Sequence, residues 1–467
     1  MVDRQRVVVV GGGPGGYATA LYGASAGLDV VLVERSRVGG TCLHVGCIPA
    51  KELLETASVH RTVRRAAEFG VRVGAPELDW AVTMQRKQRI VDELTAGLGA
   101  LLKGRKVTVV DGVGRLGPDR TVTVTAADGT TSTLTGDHVV LAPGSVPRTL
   151  PGFDVDGRFV LTSDEVLSLD RLPASAVVVG GGAIGCEFAS MLDDLGVDVT
   201  LLEVSDKLLP GCDADVAGVV TRAFRKRGIT IHTGVAVHGH DPDPAAGTTT
   251  VRFGDGATAV AEIVVVSVGR RPFLDHLGLE GTGVTVGARG HIDVDAYGRT
   301  AVPGVHAVGD AVASPALAHV AFAEAITVVK DICGESPIPL DHERVPWAIY
   351  CHPEVAFAGL TEAQAVERGI DVVTAKHRFL ANGRAKIVGD TEGIVKVVAE
   401  RRPDGRAGRI LGVHLAGPWV TEQLGAGYLA VNWEATVDDV AHFLQPHPTM
   451  SELFGETVLS LTGRALH

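Results

Sequence analysis

Residues 7–34 read VVVVGGGPGGYATALYGASAGLDVVLVE, and residues 176–203 read AVVVGGGAIGCEFASMLDDLGVDVTLLE. Each stretch opens on a β-branched run and passes through G-x-G-x-x-G. Each then continues as an alanine-bearing helical segment and ends in a second apolar strand closed by a glutamate. The glycines are Gly11, Gly13 and Gly16 in the first copy and Gly180, Gly182 and Gly185 in the second; the glutamates are Glu34 and Glu203. All four positions are offset by the same 169 residues. One such fingerprint is weak, but two in register, each with strand, helix and acid, specify two Rossmann-like dinucleotide-binding units. The first glycine permits a tight turn, the second lets backbone approach a pyrophosphate, and the third lets helix and strand pack closely. The helix N-terminus offers unpaired N–H groups and partial positive charge to phosphates. The terminal carboxylate accepts hydrogen bonds from ribose hydroxyls and would repel a 2′-phosphate, so Glu203 predicts NAD rather than NADP at the second site. After it the chain runs Val204-Ser205-Asp206, with no arginine to receive such a phosphate.

A chain of 467 residues is too long for one core, so two to four domains are expected. Aromatic residues make up only 4% and the net charge is −12, which together argue against a nucleic-acid-binding surface. Six cysteines in so long a chain is far below a secreted disulfide scaffold and points to a reducing, cytoplasmic compartment. Arg4, Arg6 and Ala24-Ser25-Ala26 loosely imitate a signal peptide, but Gly11 to Gly16 interrupt the apolar run, and the nucleotide turn accounts for them. No uninterrupted run of about twenty apolar residues predicts a membrane span.

Directly after the first unit comes GGTCLHVGCIPAK, Gly39 to Lys51. Helical periodicity follows, with Leu53, Leu54 and Ala57 on one face, which places Cys42 and Cys47 in the first turns of a helix. There the dipole is expected to lower a thiol pKa. Residues five apart lie about 140° around a helix, so bridging the two requires a distorted first turn, for which Gly46 and Pro49 give reasons. A plant-type iron–sulfur site needs a third cysteine at position 50, which is Ala50. A zinc site through Cys42, His44 and Cys47 has unsuitable spacing, and two inert buried cysteines are the plain alternative. The favoured reading is a redox-active pair exchanging two electrons. Two dinucleotide sites in series with it suggest a flavin linking thiols to a pyridine nucleotide. Cys186, Cys212, Cys333 and Cys351 are expected to be small buried hydrophobes.

The segment GGTCLHVGCIPAK resembles the active-site stretch of the pyridine nucleotide-disulfide oxidoreductases, and the resemblance covers nearly the whole chain. Val305-His306-Ala307-Val308-Gly309-Asp310 resembles the family's second flavin motif, Ala316-Leu317-Ala318-His319 the helix start beneath the flavin, and Gly269-Arg270-Arg271-Pro272 the close of the NAD domain. Gln445-Pro446-His447-Pro448-Thr449-Met450-Ser451-Glu452 resembles the C-terminal motif that supplies an acid–base histidine. Glu203, the intact cysteine pair and a C-terminus without paired cysteines favour the family's dihydrolipoyl dehydrogenase branch. The resemblance implies an α/β fold with FAD and NAD domains plus a C-terminal α/β interface domain. In order these are residues 1–148 (flavin, first part), 149–270 (NAD), 271–340 (flavin, second part) and 341–467 (interface). It implies FAD held through Gly11, Gly13, Gly16, Glu34, Gly40, Thr41, Lys51, Gly114, Gly144, Asp310 and Ala318. NAD is implied at Gly180, Gly182, Gly185, Glu187, Glu203, Val235 and Gly269. Lys51 is expected near the flavin, paired with Glu187.

The implied chemistry is dithiol oxidation. A dihydrolipoyl thiolate attacks Cys42, Cys47 passes electrons onward, His447 takes the proton and Glu452 orients it. No metal is implied. His447 comes from a second subunit, so a homodimer is expected, serving a lipoyl-bearing protein of a 2-oxoacid dehydrogenase or glycine-cleavage complex. Departures fall at His44, Ala50, Pro143 and Pro446. The alternatives are a reductase of another disulfide, a metal ion or a quinone on the same scaffold, and a non-catalytic subunit of a multienzyme complex.

Overall fold

The computed structural model describes residues 4–466; residues 1–3 and 467, the outermost ends of the first and last expected domains, lie outside them. The chain gathers into two compact units. One takes in the chain up to Leu53, then Asp79–Arg148 and Gly269–His342; the other takes in Leu54–Leu78, Thr149–Val268 and the chain from Glu343 on.

The first unit is built on a parallel sheet. Its strands run in the order Val305–Ala307, His138–Leu141, Arg6–Val10, Asp29–Glu34 and Thr108–Asp111. A parallel sheet is stable when both faces are covered, and the valine run of the central strand supplies an apolar side chain to each. Val7 and Val9 face Ala20, Leu98, Leu102 and Val328 of the flanking helices. Val8 and Val10 face Leu116, Val122 and Val124, which belong to a three-stranded antiparallel meander of Val113–Leu116, Thr121–Thr125 and Thr131–Thr135.

The second unit repeats the plan. Its parallel sheet runs Thr230–Thr233, Asp198–Glu203, Ser175–Val179, Ile263–Val266, Val160–Leu161. Val177 and Val179, the counterparts of Val8 and Val10, pack on Val251 and Phe253 of a second meander. The repeat breaks in one place. The edge strand beside the fourth position comes from late in the chain in the first sheet, at Val305–Ala307, and from before the repeat in the second, at Val160–Leu161. The second unit also carries an antiparallel sheet of Trp347–Ile349, Glu354–Gly359, Ala407–Gly417, Ile394–Arg401 and Val372–Arg378. Helices Val420–Asn432 and Glu452–Ser460 cover it through Leu424, Val431, Leu453 and Val458. The two Rossmann-like sheets and the C-terminal α/β layer agree with the fold read from the sequence. No helix among the described residues is long and apolar enough to cross a membrane.

One buried pair of rings titrates in an unfavourable place. His306, on the edge strand of the first sheet, is 3% exposed, and its ring lies 5.6 Å from that of His138. Its Nδ1 is buried without a hydrogen-bond partner. Burial, then His138, pushes its pKa from 6.5 down to about 4, against the pull of Asp331, whose carboxylate lies 3.7 Å away but is held by Arg299. The fold therefore requires the neutral ring. That contribution is complete above pH 6.5 and is lost as the pH falls towards 4. Calorimetric unfolding scans are expected to show an acid-induced loss to which His306 contributes about 2 kcal/mol between pH 7 and pH 5. His306→Phe should remove that share of the pH dependence.

Candidate active site: two phosphate turns, a thiol pair and a histidine–glutamate pair

The two glycine turns are nearly superimposable in their backbone. Gly11 and Gly180 both have φ +104°. Gly13 caps helix Pro14–Ser25 with φ −72° and ψ −173°, and Gly182 caps helix Ala183–Asp194 with φ −73° and ψ −172°. A β-carbon on Gly16 would stand 1.7 Å from the Gly11 carbonyl oxygen, and one on Gly185 would stand 1.8 Å from that of Gly180. The third glycine thus lets the helix start rest directly on the turn, with its N–H groups facing outward.

The two acids are tied more tightly than the sequence suggested. Glu34 accepts the Gly12 N–H at 2.6 Å and the Ser36 N–H at 2.8 Å; Glu203 accepts the Gly181 N–H at 2.5 Å and the Ser205 N–H at 2.7 Å. Each carboxylate stitches its turn to the end of its strand.

Beside the first turn lies a cleft bordered by Gly11, Glu34, Gly114, Pro143, Phe273 and His276. Arg35, also on its wall, stacks its guanidinium 4.2 Å over the Phe273 ring. Gly114 stands where a β-carbon would meet Val10 Cγ1 at 3.0 Å. Asp310 accepts the Ser145 hydroxyl, and that oxygen accepts Arg270 Nε at 2.7 Å, so the aspartate is held by a two-step relay. Gly144 (φ +74°) and Gly269 (φ +103°) use their carbonyls to receive Phe273 and Arg148, closing the paired strands Ser145–Pro147 and Arg270–Pro272. Ala318 opens helix Ala318–Ile332, whose first amides are uncapped by side chains. A nucleotide cleft, a fixed acceptor at Asp310 and a helix start fit a flavin adenine dinucleotide. In the second unit, Val235 N–H bonds the Glu203 carbonyl at 3.1 Å, and buried Glu187 accepts Tyr350 N–H at 2.9 Å.

The cysteine segment departs from one expectation. Cys42 lies in a one-turn helix, Gly40–His44, and Cys47 is the first residue of a separate helix, Cys47–Arg64. The break at Val45-Gly46 does what a distorted first turn was expected to do. A β-carbon on Gly46 would meet the Thr41 carbonyl oxygen at 2.8 Å and Cys42 Cα at 3.3 Å, so the chain folds back on Cys42 only with glycine there. Gly40 likewise packs on the first phosphate turn, its β-position 2.6 Å from Gly13 Cα. Cys42 is half-buried and Cys47 exposed. The Cys42 thiol is held well above the ordinary range, first by its hydrogen bond with Cys47, then by burial, while the Lys51 ammonium pulls downward. The expected lowering of the thiol pKa is not met at Cys42, where the contact with Cys47 and burial outweigh the pull of Lys51. Tyr17, which the sequence did not single out, is pushed up to about 12 by burial and then by the two cysteines. His44 anchors the segment by bonding the Val38 carbonyl through Nε2 at 2.9 Å. Of the other cysteines, Cys186, Cys212 and Cys351 are buried, but Cys333 is exposed just past a helix end.

His447 Nδ1 lies 2.9 Å from Glu452 Oε2, and the imidazole is otherwise 80% exposed. Glu452 opens helix Glu452–Ser460 and donates its N–H to the Thr449 hydroxyl oxygen at 3.2 Å. Asn382 holds the loop by donating to the Thr449 carbonyl at 2.9 Å, and reaches Glu452 Oε1 at 3.4 Å. Neither Asn382's role nor the Arg270–Ser145 relay has a signature in linear sequence, since each joins segments more than sixty residues apart. Among the described residues no cluster of histidine, cysteine or acidic side chains is arranged to hold a metal ion.

Residues 5–325 match the pyridine nucleotide-disulphide oxidoreductase family, and residues 345–458 match that family's dimerisation domain. A dihydrolipoyl dehydrogenase of Bacillus subtilis is 41% identical, with the whole of both chains covered. The crystal structure of LpdA from Mycobacterium tuberculosis superposes with a TM-score of 0.91 at 28% identity, covering 98% of this chain and 99% of that one. The HOCl-induced flavoprotein disulfide reductase RclA from Escherichia coli, in its Cu(II) complex, gives 0.87 at 26%, covering 98% and 100%. The two family models between them span residues 5–325 and 345–458, and the chain belongs to the pyridine nucleotide-disulphide oxidoreductase family.

Proposed function

We propose that this protein is a dihydrolipoyl dehydrogenase, an FAD-containing enzyme that oxidises dihydrolipoyl groups and delivers the electrons to NAD⁺. The observation that carries the reading is the Cys42–Cys47 segment, folded back on Cys42 at Gly46 and packed through Gly40 against the first phosphate turn. Full-length identity of 41% with a dihydrolipoyl dehydrogenase supports the choice of substrate. When bound, FAD supplies a two-electron relay between the thiols and NAD⁺. Gly11, Gly13, Gly16, Glu34, Gly40, Thr41, Lys51, Gly114, Gly144, Asp310 and Ala318 would hold it. Gly180, Gly182, Gly185, Glu187, Glu203, Val235 and Gly269 would hold NAD⁺. Lys207 donates to the Cys212 carbonyl at 3.1 Å and so is committed away from any 2′-phosphate, which favours NAD over NADP.

The protein's own groups run the thiol chemistry. His447, oriented through Nδ1 by Glu452, takes the proton from one substrate thiol. The resulting thiolate attacks Cys42 of the oxidised pair; the Cys42–Cys47 bond breaks, a mixed disulfide forms, and Cys47 leaves as thiolate. The second substrate thiol then attacks the substrate sulfur of the mixed disulfide: the substrate S–S bond forms, the bond to Cys42 breaks, and the second thiol's proton passes to Cys42 while the histidine keeps the first. The substrate leaves as the cyclic disulfide and the pair is reduced. A raised Cys42 pKa suits the sulfur that ends the cycle protonated, and a helix N-terminus suits Cys47 as the thiolate. The base is supplied by the partner of a homodimer, in a reducing cytoplasm, with a lipoyl domain of a 2-oxoacid dehydrogenase or glycine-cleavage complex as the substrate carrier. The flavin domain takes residues 1–148 and 271–340, the NAD domain residues 149–270 and the interface domain residues 341–467. The likeness to RclA favours, as second reading, a reductase of another acceptor on the same scaffold.

The purified protein is expected to be yellow and to form NADH from dihydrolipoamide, with NADP⁺ a poor substitute. No activity on dihydrolipoamide alongside rapid reduction of Cu(II) or another disulfide by NADH would select the second reading. Cys47→Ser should abolish dihydrolipoamide oxidation while retaining flavin. His447→Gln should lower kcat roughly a hundred- to ten-thousand-fold, measured by stopped-flow and steady-state rates. Gly46→Ala should retain flavin yet lose most disulfide-linked turnover, because the added methyl displaces Cys42. Unchanged turnover would contradict the role given to that backbone approach.

A further inference from the structure

The most heavily charged buried point of the second unit lies away from the thiols and the histidine pair. Lys396, on strand Ile394–Arg401, is 3% exposed, yet its ammonium meets three carboxylates. It lies 3.0 Å from both oxygens of Asp213, 2.9 Å from Asp215 and 2.7 Å from Glu362. Its cross-strand neighbours are Lys376 and His414. Lys376 also binds Asp215 at 2.9 Å, and His414 turns its Nε2 to the Leu360 carbonyl. Asp213 is itself 3% exposed and caps helix Ala214–Arg227. A buried carboxylate is tolerated only while it is paired, so Lys396 fixes where that helix begins.

What precedes Asp213 is the stretch leaving Glu203. Ser205 N–H bonds the Glu203 carboxylate at 2.7 Å, Leu209 N–H bonds the Gly181 carbonyl at 2.8 Å, and Cys212 N–H returns to the Leu209 carbonyl at 2.8 Å. Leu209 holds φ +49°, a conformation unfavourable for a branched-chain residue, and is only 2% exposed. Leu208, fully buried, approaches so closely that its Cδ2 lies 2.6 Å from a β-carbon placed on Gly181. The stretch 204–212 is therefore pinned at one end to the second phosphate turn and at the other, through Asp213, to Lys396.

We propose that Lys396 is a positioning residue for the second nucleotide site: through Asp213 it clamps the 204–212 stretch so that Glu203 and the Gly181 turn present the ribose subsite. The proposal rests on the reading of that site as the NAD site. It makes a strand of the dimerisation layer part of the machinery that sets nucleotide affinity. Lys396 touches no nucleotide, so its loss should act on binding and leave thiol chemistry intact.

The test is calorimetric titration of FAD-loaded protein with ADP-ribose, which probes the adenosine end independently of lipoyl turnover. Lys396→Met should weaken ADP-ribose about tenfold, and Lys396→Arg should restore most of it. In turnover the KM for NAD⁺ should rise while kcat, the KM for dihydrolipoamide and the flavin spectrum stay unchanged. If Lys396→Met does not fold, the double variant Lys396→Met/Asp213→Asn removes both buried charges, and the same weakening is expected. Wild-type ADP-ribose affinity in whichever variant folds would overturn the proposal. A wild-type protein that oxidises dihydrolipoamide but does not bind ADP-ribose would overturn the site assignment beneath it, and the proposal with it.

Discussion

An oxygen and a missing carbon set the terms of this structure. The Gly11 carbonyl occupies the space that any side chain at position 16 would need, and Gly180 does the same to position 185. That approach seats each helix start on the strand before it. The helix N–H groups are thereby brought to the strand ends, and the acid of the next strand lies close enough to stitch the turn shut. Everything that binds a dinucleotide here follows from two backbones that touch without a β-carbon between them.

The thiol pair extends the same principle. Gly40 brings its backbone onto the first phosphate turn, and Gly46 brings the start of the long helix back onto Cys42. The electrostatic outcome is asymmetric. Cys42 is proton-retaining because its neighbour shares a hydrogen bond and protein covers it, while Cys47 stands exposed at a helix head. An asymmetric pair suits a sequence of exchanges in which one sulfur meets the substrate and the other passes charge onward.

The two Rossmann-like units were legible because their signals are local: glycine spacing, a valine run and an acid at the end of the second strand all fall within 28 residues. The pairing of His447 with Glu452 was within reach for the same reason, five residues separating them. A distortion between Cys42 and Cys47 was readable at Gly46, but its form, two separate helices, was not, because the helical periodicity beyond residue 50 extrapolates smoothly backward. The Arg35–Phe273 stack, the Ser145–Asp310 relay and the Lys396 cluster were also invisible. Each is a meeting of residues more than a hundred apart, and charged residues read singly from sequence look like solvated surface. Glu34 and Glu203 were recognised as acids of the fingerprint, but their service to the backbone of their own turns came only with the geometry.

The mismatch between the two parallel sheets has a consequence for the order in which the chain acquires its shape. All five strands of the second sheet lie between residues 160 and 266, whereas the first sheet waits for Val305–Ala307 to cover the edge of His138–Leu141. On a ribosome, where segments become available from the N-terminus onward, the later-encoded layer has its full set of strands before the earlier-encoded one. The N-terminal layer, with an exposed hydrogen-bonding edge until then, is the portion of the nascent protein most open to wrong partners.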